Sequence, residues 1–155
     1  MGKSFQEIIE NMNYYMTVSR YDAQTGRIEA HAGGTLSSIL SDGFPFVKGK
    51  YDQNEYYIDF SSGTPTPYKR PIMAIMQDKI TITADGNDTM ILSGLPMLCK
   101  VKVENGIYNA IYQVVDEVLE WATLMPATYK ITVLSFPYQD WESEVVAIAG
   151  NLHSK

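Results

Sequence analysis

The chain of 155 residues carries 12 Lys and Arg against 18 Asp and Glu, a net charge of −6, with 45% apolar residues and 11 tyrosines. That length can bury a core without staples, but the acidic balance supplies no positive surface for nucleic-acid phosphates, so nucleic acid is not an expected partner. One cysteine, Cys99, excludes an internal disulfide, and no apolar run reaches the ~18 residues of a membrane-spanning helix, so no membrane partner is expected.

The N-terminus is polar, carries Glu7 and Glu10, and does not read as a secretory signal. Ser4 followed by Glu7 forms a capping box. Phe5, Ile8, Ile9 and Met12 then share one face, which predicts a short helix over residues 4–12. So short a helix is not stable alone in water and needs a surface to dock on, its own body or a neighbouring subunit. Tyr14 to Tyr21 reads as a strand, 22–26 as a turn ending in Gly26, and Arg27 to His31 as the returning strand of a hairpin, ended by Gly33-Gly34. Leu36 to Leu40 suggests a helical turn. Phe46 to Lys50 and Tyr56 to Phe60 read as two further strands.

Residues 61–71 hold three prolines, Pro65, Pro67 and Pro71. Proline suits neither a helix interior nor a central strand, so this segment is expected to be a module junction. Beyond it, short strand-like runs alternate with turns: Ile72–Met76, Lys79–Thr83 with Ile80 and Ile82 on one face, Thr89–Leu92, Cys99–Val103 with Val101 and Val103 inward, Thr128–Leu134 through Tyr129, Ile131 and Val133, and Glu144–Ile148. Asn105-Gly106 is a strong hairpin turn. Strands at this spacing predict a β-sandwich. Residues 107–125 also carry helical spacing through Ile107, Ile111, Val114, Val118, Leu119, Ala122 and Met125. The preceding Asn105-Gly106 and the β-branched Val114-Val115 favour two strands broken near Asp116-Glu117.

Little in the chain points to catalysis. His31, His153 and Cys99 fall short of the about four ligands of a structural zinc site. No Gly-x-Ser-x-Gly elbow is present. Asp85-Gly86-Asn87-Asp88 is rich in oxygen but lacks the calcium-loop pattern. Glu142 and Glu144 would share a strand face, yet such carboxylate pairs arise by chance in an acidic chain. Cys99, in an apolar stretch, reads as a buried structural thiol. The small basic clusters at Tyr68-Lys69-Arg70 and Lys100/Lys102 read as solvated surface. The expectation is a non-enzyme with no catalytic, cofactor or metal site, working by protein contact. Its candidate interface residues are Phe5, Ile8, Ile9 and Met12 on the N-terminal stripe, with Tyr56, Tyr57, Tyr68, Tyr138 and Trp141. Core is the default for Trp141 and Phe136, and Tyr68 is expected to be half-exposed.

Residues 46–149 resemble small proteins encoded among the tail genes of tailed bacteriophages. The stretches that carry this, in order, are 46–52, 55–59, Ser62-Gly63, 70–73, 81–88, 93–96, Pro126-Ala127-Thr128-Tyr129-Lys130-Ile131 and Phe136-Pro137-Tyr138-Gln139-Asp140-Trp141. The last two are similar to immunoglobulin-like modules of virion proteins, in which a Pro-Gly-Thr-Tyr turn enters the penultimate strand; Ala127 stands here for the usual Gly. With the residue pattern, the resemblance gives an expected mainly β chain: an N-terminal β-rich attachment module with a short helix (1–60), a Pro-rich junction (61–71), an Ig-like β-sandwich (72–150) and a flexible tail (151–155). It implies a tail or tail-fibre-associated virion component, assembled in the host cytoplasm. Its partners would be other virion proteins and further copies of itself in a symmetric assembly; the apolar N-terminal stripe, by its residue pattern, is expected to contribute to subunit contact. The rival readings are a carbohydrate- or host-receptor-binding module, with Trp141 or Tyr138 on a host surface glycan, and, less well supported, a cell-wall hydrolase.

Overall fold

The structure, a computed structural model, describes residues 14–150. The expected helix over 4–12, its stripe Phe5, Ile8, Ile9 and Met12, and the tail 151–155 lie outside the described residues. Among the described residues the fold is mainly β, with several antiparallel sheets and one short helix. The chain divides into two compact units, Met1–Arg70 and Pro71–Lys155.

In the first unit, β1 (Tyr15–Tyr21) pairs on one side with β2 (Ile28–Thr35) and on the other with β3 (Phe46–Lys48), both antiparallel. The β1–β2 turn closes on Asp22, whose Oδ1 accepts the N–H groups of Gln24 at 2.8 Å and Thr25 at 2.9 Å. These bonds favour the charged carboxylate and hold the Asp22 pKa below its ordinary value. Gly26 at the end of this turn has φ +79° and its carbonyl accepts the Ile58 N–H at 2.8 Å. A Cβ there would lie 1.9 Å from the Ile58 carbonyl oxygen, so only glycine fits.

Gly33-Gly34 does not end β2, which runs on to Thr35. A Cβ at Gly33 would come within 2.5 Å of the Tyr15 hydroxyl; the bare backbone makes room for a cross-strand ring and does not break the strand. The helix α1 (Leu36–Asp42) begins at Thr35, whose side chain accepts the Ser38 N–H, and stops at Gly43, left-handed at φ 76°. The hairpin of β4 (Tyr56–Asp59) and β5 (Thr66–Lys69) adds Ile58 to a small core with Tyr21 and Ile28. Buried Ser19 binds the loop after β3 through two bonds: its Oγ donates to Gly49 O at 2.8 Å and accepts from Tyr51 N at 2.9 Å.

The Pro-rich segment 61–71 holds both β5 and, after Arg70, the boundary between the two units. Pro67 sits within β5 opposite Ile58. A two-stranded hairpin leaves one side of each strand without a ladder, and a residue lacking its N–H is tolerated there. Arg70, read from the sequence as solvated, is buried, and its guanidinium donates to Gln53 O at 3.0 Å.

In the second unit, β6 (Met76–Gln77), β8 (Met90–Ser93) and β11 (Val118–Trp121) form one sheet in the order β11-β8-β6. The other contains β7 (Thr81–Thr83), β9 (Lys100–Glu104), β10 (Asn109–Gln113), β12 (Ala127–Leu134) and β13 (Trp141–Ile148), in the order β10-β9-β12-β13-β7. All pairs are antiparallel except β13 with β7. Both sheets feed one core: Met90, Leu92 and Trp121 from the first, and Val101, Val103, Tyr129, Ile131, Val133 and Val145 from the second. Residues 107–125 form the two strands β10 and β11, parted at a bend where Glu117 adopts φ 69°. Ile80 does not share the inward face of Ile82. It lies at a bend before β7 and is exposed, whereas Ile82 is buried.

Candidate interaction surface

The sequence-predicted aromatic candidates are divided between the two units. In the first unit Tyr57 stands directly across the β4–β5 hairpin from Tyr68. Tyr68 is 49% exposed. The half-buried Tyr57 donates its hydroxyl to Asp59 Oδ2 at 3.2 Å, and burial, with this bond to a carboxylate, raises its pKa. Tyr56 turns toward the small core, its ring edge-on to Tyr51 at 5.2 Å. In the second unit Tyr138 and Trp141 are half-buried and pack against the main core. Within the first unit, Tyr57 and Tyr68 are thus a directly opposed cross-strand pair.

Potential catalytic groups are engaged in local structure. Asp85 Oδ1 accepts the N–H groups of Asn87 and Asp88, each at 2.8 Å, so the oxygen-rich loop is an Asx turn. Asp88 bridges Lys79 Nζ at 2.8 Å and the Thr83 N–H at 2.7 Å. Its pKa is lowered, by the Lys79 bond first and then by Thr83. Cys99 is fully buried, and desolvation pushes its thiol pKa up, away from the reactive thiolate. Glu142 and Glu144 share the outer face of β13, where Lys130 Nζ stands 3.5 Å from Glu142. With Ile80, Thr81, Ser143 and Val146 they line an open groove of about 500 Å³. Gln77 secures one flank, donating to Glu144 O and Lys79 O at 2.9 Å each. Among the described residues no cluster of three or more His, Cys, Asp and Glu is placed to hold a metal ion, and no helix is long and apolar enough to cross a membrane.

A surface that sequence reasoning missed is β10, at the end of the five-stranded sheet, with no strand on its outer side among the described residues. The Asn105 N–H donates to Tyr108 O, and the Val114 N–H to Cys99 O, each at 3.0 Å. Even-numbered residues of this stretch thus turn their backbone toward β9. By the alternation of an antiparallel ladder, Asn109, Ile111 and Gln113 aim their N–H and C=O groups outward. Their side chains are exposed too, while Tyr112 and Tyr108 pack inward and bond hydroxyl to hydroxyl at 2.8 Å. Ile111 is 64% exposed, and Ile107 and Val115 on either side are 91% and 64% exposed. The two strands read from the sequence, with a period of two, already separate Val114 from Ile107 and Ile111; that β10 ends its sheet depends on pairing between distant segments, which a local pattern does not carry.

No protein-family model matches the chain, and neither a curated protein nor a solved structure matches it.

Proposed function

We propose that this protein is a structural component of a bacteriophage virion, tail or tail-fibre-associated, that acts by docking onto other virion proteins and onto copies of itself. The observation that carries the reading is the plan of the second unit. The order β6-β8-β11 in one sheet and β9-β12-β13 in the other corresponds to the A-B-E and C-F-G strands of an immunoglobulin-like sandwich, with β10 as an added strand beside β9. Tyr129, near the start of β12, donates its hydroxyl back to Met125 O at 2.7 Å, the bond of a tyrosine corner at that place in such sandwiches. The Pro126-Ala127-Thr128-Tyr129 stretch, on which the resemblance to virion modules rests, enters this penultimate strand. Ala127 has no positive φ, so the turn does not depend on the glycine it replaces.

The reading is tested on particles. In a preparation of the tailed particles whose genome encodes it, the chain should co-sediment with the particles in a density gradient, and gold-conjugated antibody should label the tail. Intact particles that lack the chain, with all of it in the soluble fraction, would overturn the proposal.

A further inference from the structure

We propose that two copies of this chain join edge to edge through β10, antiparallel about a two-fold axis at Ile111, fusing their five-stranded sheets into one. The inference rests on the self-assembly part of the reading above and supplies its contact. Among the described residues β10 is an open edge, and its outward backbone groups lie on Asn109, Ile111 and Gln113. It carries none of the usual protections of such an edge: Asn105 to Val115 contains no Lys, no Pro and no charged residue of any kind.

The segment is also self-complementary. With Ile111 opposite Ile111, the residues at equal distances on either side face one another. Asn109 meets Gln113, amide to amide. Ile107 meets Val115, apolar to apolar. On the inner face the small Ala110 meets the large Tyr112. Each outward residue exchanges its N–H and C=O with the one opposite, as a hydrogen-bonded antiparallel pair does. A shift of register by two residues sets Ile111 against an amide and breaks every one of these matches.

The self-complementary pairing selects a second copy as the occupant, and charge does not oppose it. The chain has a net charge of −6, so most self-contacts bring like charges together. At this edge the first charged residue in the central row is Lys102, paired with Ile111 on β9. Across the join it would face the second copy's Lys102 at three strand spacings, about 14 Å, beyond the Debye length of about 8 Å at physiological salt. The rows on either side set Glu104, beside Asn109, against Lys100, beside Gln113, opposite charges at the same screened separation, so no row of the join repels strongly.

Sedimentation and light scattering of the full chain test this. The wild type should give a dimer of the 17.4 kDa chain, or an even multiple. Ile111→Lys sets two ammonium groups against each other at the axis and should weaken association roughly 100-fold, with its circular dichroism unchanged. Ile111→Cys should be trapped as a covalent dimer by mild oxidation or a short thiol-reactive linker. Cα atoms in such a pair lie about 5.5 Å apart, and buried Cys99 gives no background. A wild type that stays monomeric at high concentration would overturn both this contact and the self-assembly reading. A wild type that associates as strongly as Ile111→Lys, with no trapping of Ile111→Cys, would overturn the β10 contact and leave self-assembly standing.

Discussion

Tyr129 and Met125 are joined by a side-chain bond to the backbone four residues upstream, Oη to O at 2.7 Å. The same hydroxyl lies 3.0 Å from Thr123 Oγ1, and the Tyr129 ring stands edge-on to Trp121 at 4.7 Å. The connection from β11 to β12 is thereby tied to the core of the second unit, because Tyr129 is buried along its whole length. Tyr129→Phe keeps the ring contacts and removes only the bonds. It should lower stability by about 1–2 kcal/mol, read as a lower urea midpoint at unchanged slope in tryptophan fluorescence. Both tryptophans, Trp121 and Trp141, lie in this unit and report on it.

Gly26→Ala tests the first unit. The new methyl would collide with the Ile58 carbonyl and occupy a left-handed backbone, so the turn must open and release the Ile58-to-Gly26 bond. A loss of at least about 2 kcal/mol is expected. Hydrogen exchange should speed up in peptides covering β1 and β4. Gly63→Ala is the control, because a Cβ there meets nothing within 4 Å; its cost is confined to the positive φ.

Asp85 and Asp88 set a response to acid. Both have pKa values below the ordinary 3.8: Asp85 through the Asp88 and Asn87 N–H groups, Asp88 through Lys79 and then Thr83. A depressed carboxylate contributes stability that is fully present above its unfolded pKa and is lost as pH falls through its folded pKa. The second unit should therefore hold its melting temperature down to about pH 4 and weaken below it. Asp88→Asn should melt lower at neutral pH and fall less steeply in acid, in thermal scans between neutral pH and about pH 2.5.

Cys99 should be silent in the folded chain. Its burial and raised pKa predict that a thiol-reactive dye titrates one group in denaturant and reacts at least about 100-fold more slowly with the native protein, where labelling waits on opening of the core. Rapid stoichiometric labelling under native conditions would contradict the buried position between β8 and β9.

Several features of this fold were legible in the residues because they depend on neighbours in sequence. Alternation in Val101 and Val103, and in Tyr129, Ile131 and Val133, marks inward faces that are fully or almost fully buried. Asn105-Gly106 closes the β9–β10 hairpin, and Asp116-Glu117 marks the break between β10 and β11. Local chemistry suffices for these, since a period of two and a turn preference are properties of a few adjacent residues.

Tertiary structure decided what lies on the other side of each face. Pro67 is a strand residue only because Ile58, nine positions earlier, offers it a ladder. Ile82 is covered and Ile80 is not, since the chain bends before it pairs with β13 from the far end of the sequence. Trp121 was assigned no special place by its sequence, yet it is buried in the core, whereas Trp141 is half-buried at its margin. Ile111 has the composition of a core residue and stands at an open edge, because the strand that could have flanked it belongs to the opposite sheet. Length, acidity, strand periodicity and turn positions were determined by the sequence itself. Which strands became edges, and so which apolar residues stayed exposed, was decided by pairing between distant segments, a competition among long-range contacts that no local pattern encodes.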